Sequence, residues 1–317
     1  MNQVETSLNT GARSQTQKKK IRKRWESPIA GYLFISPWLI GFLLLTLWPM
    51  IQSVYYSFTD YSLLEAPHWV GAANYEKIFN EDKLFFKSLG VTLWFVAFSV
   101  PLKLAFALLV AMFLNQKIKG LSIYRTAIYF PSLIGSSIAV AILWGNIFGG
   151  DGLINHILSF IGVTGPNWIG SPKTALGTLV LLVIWQFGSS MVIFLAGLKQ
   201  ISAELYEAAS VDGASKVRQF FSITLPMLSP VILFNLVLQV IGSFQMFTQA
   251  FVITKGGPVN STYMFALYLY EKAFARMEMG YASALAWILL IIIGIVTAII
   301  FASSRYWVFY AEGGRKG

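Results

Sequence analysis

Three groups of polar side chains stand inside otherwise apolar stretches, and the chemistry they offer is hydrogen bonding. Asn235, Gln239 and Ser243 follow one another at i, i+4 and i+8, which on a helix makes one stripe, with Met246 next along it. Gln186, Ser189 and Ser190 stand beside Trp185, and Ser132, Ser136 and Ser137 follow Tyr129 and Phe130. Amides and hydroxyls beside flat rings can line a cavity for a polar solute. The same groups can instead bond one helix to another in lipid. Lys103 is the one charge inside any apolar stretch. Snorkelling, pairing with a partner subunit and facing an anionic solute are all open to it.

Reactive chemistry is missing from the sequence. There is no glycine-rich phosphate loop ending in Gly-Lys-Ser or Gly-Lys-Thr to cradle a nucleotide. His68 and His156 are isolated and there is no Cys, so no metal site is expected. No Ser-His-Asp set can be assembled, and no catalytic residue is expected. The apolar stretches also lack carboxylates, the usual carriers of coupling protons or sodium. Energy for pumping is therefore expected to come from another polypeptide.

The segment 202–226 has the pattern of a contact device. Ser202 is a good N-cap, and Glu204 falls in the first turn, where the helix dipole favours an anion. Leu205, Ala208 and Ala209 share a face, with Tyr206 and Glu207 beside it. Gly213 falls where a helix end needs a residue free to adopt positive φ. Phe220, Phe221 and Ile223 supply a second short amphipathic piece before Pro226. Two short helices meeting at a glycine make a rigid knob that can push on a partner. An amphipathic helix lying on the membrane surface is the plainer alternative.

The elements that position these residues follow from composition. Of 317 residues, 56% are hydrophobic and only 12% charged, against roughly 25% charged in an ordinary soluble domain. Such a chain cannot cover a water-facing surface with polar groups. That excludes a soluble enzyme, a disordered regulator and a disulfide-built secreted domain. Six stretches (29–53, 89–114, 126–150, 174–198, 226–254 and 281–304) reach the length needed to cross a bilayer, about 20 apolar residues. Barrel strands would read as short alternating segments instead. The expected fold is an all-α membrane protein of six transmembrane helices, with a basic tail at 1–28 and a short tail at 305–317. The first stretch is too long for a signal peptide and no Ala-x-Ala site follows, so it is expected to be an uncleaved span. With both termini inside, the inner segments carry 16 Lys and Arg and the outer segments 7. This positive-inside pattern places both termini in the cytoplasm, and the basic run Lys18–Arg24 then sets topology rather than binding nucleic acid.

Glu207-Ala208-Ala209, Asp212-Gly213-Ala214, Phe220, Ile223, Leu225-Pro226 and Pro230 reproduce the EAA loop of ABC importer permeases. Their form resembles that of the carbohydrate-uptake, maltose-type, binding-protein-dependent subunits. Tyr32 to Pro37, Trp48-Pro49, Gly71-x-x-Asn74-Tyr75 and Tyr129-Phe130-Pro131 fit the same family, over roughly Pro28 to Ser304. The resemblance implies the type I importer permease (MetI-like) fold in a prokaryotic cytoplasmic (inner) membrane. Its implied partners are a second related permease subunit in a heterodimer, two cytoplasmic ABC ATPase subunits, an external solute-binding protein, a sugar and membrane lipid. This chain would hold no cofactor, since ATP and Mg belong to the ATPase. By the same resemblance Glu207, Ala208, Ala209, Asp212 and Gly213 form the ATPase-coupling element: Glu207 as a polar contact, the alanines for close packing, Gly213 as the turn. Gln186, Gln239 and Ser243 fall near the levels where maltose-type permeases line their sugar site. With Ser190, Asn235 and Ser136 they make up the expected substrate pathway. The outer segment from Lys255-Gly-Gly-Pro258 to Gly280 would face the binding protein. The expected function is passage of an oligosaccharide or other polysaccharide-derived sugar. Another solute (a sugar phosphate, a polyol or an anionic uronate oligomer) is the alternative within transport, and a stand-alone channel or membrane enzyme the alternative outside it.

Overall fold

A computed structural model describes residues 28–116, 121–135 and 137–310, with the side chains of 28–30 and 121–122 left out. The basic tail up to residue 27, residues 311–317 and the expected pathway residue Ser136 lie outside the described residues. The chain divides into two compact units, 1–56 and 57–317.

In the first unit, α1 (Pro28–Phe42) passes through a π turn at Leu43–Leu47 into α2 (Trp48–Ser57). The Trp48 N–H bonds to the Leu43 carbonyl, five residues back. Pro49 explains the wide turn: it has no N–H, and its ring crowds the carbonyl four residues earlier.

The second unit continues with α3 (Ala73–Asn80), α4 (Lys83–Leu114), α5 (Leu121–Ile134), α6 (Ile138–Phe148) and α7 (Leu153–Phe160). Then come α8 (Ala175–Trp185), α9 (Gly188–Leu198), α10 (Ala203–Val211), α11 (Lys216–Gln219), α12 (Leu225–Phe244), α13 (Phe265–Tyr270) and α14 (Met279–Trp307). Among the described residues the extended pairing is confined to the isolated bridges Thr59–Trp69 and Ser62–Glu65. Five helical segments are long and apolar enough to cross a membrane, or six if α8 and α9, bent by 43° at their junction, count as one.

Helix α4 is the axis of this unit, with α8, α9, α12 and α13 packed on it. Val100, Leu104, Ala107, Ala111 and Leu114 recur at helical spacing and are all buried. The small Ala107 and Ala111 let neighbouring backbones approach, as small residues do in lipid-embedded bundles. Helices α9 and α12 are equally close: a Cβ on Gly197 would lie 2.9 Å from Leu228 Cδ2 and from Val231 Cγ2.

Three expected segments differ in detail. The stretch 126–150 is two helices, because α5 ends before Gly135 and Ser137 caps α6 by accepting the Val140 N–H at 3.3 Å. The stretch 226–254 is shifted: one helical rod runs from Lys216 to Phe244 and stops there. Its π turn at Phe220–Thr224 precedes Pro226 as the earlier one precedes Pro49. The segment 255–280 is also more than a surface. Phe265 and Leu267 within α13 are fully buried, and the Phe265 N–H donates to Thr92 Oγ1 of α4 at 2.8 Å. That apolar run is too short to span, so it packs on α4.

Candidate functional site

A cavity of about 280 Å³ lies among α4, α8, α12 and the segment after α12. Three expected pathway residues, Gln186, Gln239 and Ser243, are on its wall together with Lys103 and Gln249. Helical spacing accounts for Gln239 and Ser243, one turn apart on α12. Gln186 reaches the wall because α8 ends at it, its N–H bonded to the Leu182 carbonyl at 3.2 Å. Its side-chain Nε2 donates to the Gly135 carbonyl at 2.7 Å. Two residues on, past Phe187, Gly188 lets α9 start against α5. A Cβ there would sit 2.6 Å from Ser132 Oγ and 3.0 Å from Tyr129 Cα. The break after α5 is thus bonded to the break after α8. The breaks after α8 and α12 both contribute to the cavity wall. Irregular backbone inside a membrane protein is tolerated where it is buried in protein or lines a cavity, and this arrangement does both.

The remaining expected residues are placed differently. Asn235 shares the stripe with Gln239 but is fully buried, and neither amide atom has a partner among the described residues. Ser190 is likewise fully buried with its Oγ unpaired, and neither residue is on the wall. Gln245, Thr248 and Gln249 line the cavity and were missed. On one uninterrupted helix to Thr254 they would share a face turned to the other side of the axis from Gln239 and Ser243. The stop at Phe244 gathers them instead. Three polar residues within five positions of an apolar stretch was the available signal, since lipid would not accept them.

At one end of α4, Asp82 is the N-cap, accepting from the Leu84 N–H at 2.9 Å and the Phe85 N–H at 3.2 Å. Tyr268 and Tyr281 also donate their hydroxyls to Asp82. Burial alone would raise the carboxyl, but these hydrogen bonds from Tyr268, Tyr281, Phe85 and Leu84 outweigh it and hold Asp82 below its ordinary value. Nearby, Lys272 pairs with Glu278 at 2.7 Å and lies 4.4 Å from the centre of the Tyr281 ring.

At the other end of the rod, α10 and α11 form the knob that the sequence pattern describes. Ser202 caps α10 by accepting the Glu204 N–H at 3.3 Å, and Ser215 caps α11 by accepting the Arg218 N–H at 3.3 Å. Between them Gly213 has φ +73° and open space around it. Gln219 is 3% exposed and braces the two halves. Its Nε2 donates to Ser210 Oγ at 2.9 Å and to the Ala214 carbonyl at 3.1 Å. Tyr206 and Thr224 share a hydroxyl hydrogen bond of 2.9 Å that ties α10 to the foot of the rod. Glu207, Ala208, Asp212 and Gly213 are exposed and Ala209 is half-buried. Val211 is 88% and Val217 67% exposed, so the knob presents apolar tips outward. Among the described residues no group of three or more His, Cys, Asp and Glu could hold a metal.

Comparison with known proteins matches residues 86–308 to the family described as the binding-protein-dependent transport system inner membrane component. The chain is 52% identical over 303 residues to the probable ABC transporter permease protein YesP of Bacillus subtilis (strain 168), covering 95% of this chain and 97% of that one. It is 36% identical to the arabinooligosaccharides transport system permease protein AraP of the same organism, covering 85% and 87%. Its fold is similar to that of a chain in the crystal structure of the bacterial alginate ABC transporter in complex with alginate pentasaccharide-bound periplasmic protein. The TM-score is 0.77 at 22% identity, over 90% of this chain and 96% of that one. A polar cavity walled by broken apolar helices, an exposed helix–glycine–helix knob and these matches agree, and the chain belongs to the binding-protein-dependent transport system inner membrane components, the permease subunits of ABC transporters.

Proposed function

We propose that this chain forms one half of the membrane path by which an ATP-driven importer admits an oligosaccharide. The observation that carries the reading is the continuity of one element. The helical rod from Lys216 to Phe244 starts in the knob and ends at the cavity. At 1.5 Å per residue it is about 40 Å long, enough to cross the hydrocarbon core. A displacement of the knob is therefore carried by a stiff body to Gln239 and Ser243 on the cavity wall. That is the mechanics of a rigid-body switch between two cavity openings.

The remaining parts of the reading follow. Both termini lie on the cytoplasmic side of a prokaryotic membrane that six spans cross, with the knob on the same side, a reading supported by the excess of Lys and Arg in the inner segments. Two partner ATPases bind ATP and Mg and engage Glu207, Ala208, Ala209, Asp212 and Gly213. A related second permease completes the path, and an external binding protein delivers the sugar. Gln186, Gln239 and Ser243 hydrogen-bond sugar hydroxyls. The oligosaccharide relative and the alginate-importing neighbour support this substrate class.

The test is reconstitution. Proteoliposomes containing this chain, its ATPase, its second permease and its binding protein are expected to accumulate an oligosaccharide only when ATP is inside and the binding protein outside. Uphill accumulation by this chain alone would overturn the reading, as would purification of a stable, active chain without those partners.

A further inference from the structure

Lys103 sits in α4, eleven residues before its end at Leu114. That is about 16 Å along the axis, too far for a lysine stem to snorkel to the end of the helix. Its exposure of 7% agrees with that. The side chain instead lines the cavity with Gln186, Gln239, Ser243 and Gln249. Among the described residues its ammonium has no ion pair and no hydrogen bond. The apolar stretches contain no Asp or Glu to neutralise it, and no acidic residue is on the cavity wall. A buried, uncompensated cation among apolar helices is costly and marks a functional position.

Resting on the reading of this cavity as the sugar path, we propose that Lys103 selects a sugar bearing a carboxylate, a uronate unit of an acidic oligosaccharide. The charge count favours this class. The wall has one cation and no anion, so a monoanion leaves the filled cavity neutral, whereas a phosphate dianion would leave a charge uncompensated in low dielectric. The amides of Gln186, Gln239 and Gln249 can donate to the second carboxylate oxygen and to ring hydroxyls. Lys103 then supplies a charge-assisted hydrogen bond, stronger than a neutral one.

The test is equilibrium binding of labelled sugars to the purified complete transporter, without its binding protein, so that the permease alone selects. The probes are an aldobiuronate (one hexuronate joined to one neutral sugar, hence a single carboxylate), its uncharged methyl ester, and lactose phosphate. The wild type is expected to bind the aldobiuronate at least about tenfold more tightly than the ester. Lys103→Gln should erase the difference between acid and ester, and Lys103→Arg should keep it. Equal binding of acid and ester by the wild type overturns the proposal, and so does preference for lactose phosphate. Should Lys103→Gln fail to assemble, the wild-type comparison and Lys103→Arg still decide it. A charge-blind site weakened by Gln239→Leu would sink this proposal and leave the sugar-path reading standing. A site indifferent to both Lys103→Gln and Gln239→Leu would sink both.

Discussion

Gln186 Nε2 donates to the Gly135 carbonyl at 2.7 Å, across 51 positions of sequence. The two residues are so close that a Cβ on Gly135 would lie 2.4 Å from Gln186 Cγ. One side chain thus satisfies the broken end of α5 and also forms part of the cavity wall. Gln186→Leu is expected to leave the buried Gly135 carbonyl unpaired, at a cost of about 1–3 kcal/mol. The thermal midpoint of the purified assembly should fall and uptake should fall with it. An unchanged midpoint would show that the bond contributes nothing.

Glu207 and Gly213 test the coupling role separately from stability. Glu207 is exposed, so Glu207→Ala should insert and fold normally while cutting sugar uptake relative to ATP hydrolysis. Gly213 has φ +73° and no crowding neighbour, so Gly213→Ala carries only the backbone penalty, about 1–2 kcal/mol. Gly213→Pro should be worse, because proline cannot take that φ. Normal coupling in Glu207→Ala and Gly213→Pro would refute the assignment.

Gln219 holds the knob together. Gln219→Leu removes its bonds to Ser210 and Ala214 without changing the exposed surface of the knob. Amide hydrogen exchange across 203–219 should rise well above wild type, with uptake reduced and insertion intact. Unchanged exchange would mean that the caps at Ser202 and Ser215 suffice.

Asp82 gives a pH signature. Its folded value lies below the ordinary 3.8, so its contribution is complete above that value and is lost as pH falls through the lowered one. Asp82→Asn keeps a capping side chain but removes the charge. The stability gap to wild type should be steady from about pH 5 to 8 and narrow only below about pH 4. A gap that widened on acidification would have the wrong sign.

Gly280 closes the contact between the 57–61 segment and α14. Its N–H donates to the Tyr61 carbonyl at 2.9 Å, and a Cβ would fall 2.1 Å from the Thr59 carbonyl oxygen. Gly280→Ala must shift backbone, at about 1–3 kcal/mol. Faster proteolysis of the 57–80 region is the readout, and unaltered cleavage would contradict the packing.

Much of this protein is legible in its residues. A chain with 12% charge and long apolar stretches has to be a bundle of membrane helices, because backbone groups in lipid must bond within their own segment. The knob could be read in the same way. Caps at Ser202 and Ser215, and positive φ at Gly213, depend on neighbours only a few positions away. Tertiary structure alone decided which polar groups meet. The stripe Asn235–Gln239–Ser243 was visible, yet Asn235 is closed over while Gln239 and Ser243 reach the cavity. Lys103 was visible but could not be assigned, since its surroundings come from α8, α12 and the segment beyond Phe244. Apolarity reports that a segment belongs in lipid and says nothing of where its helix breaks. Those breaks, held by bonds such as Gln186 to Gly135, place the cavity wall.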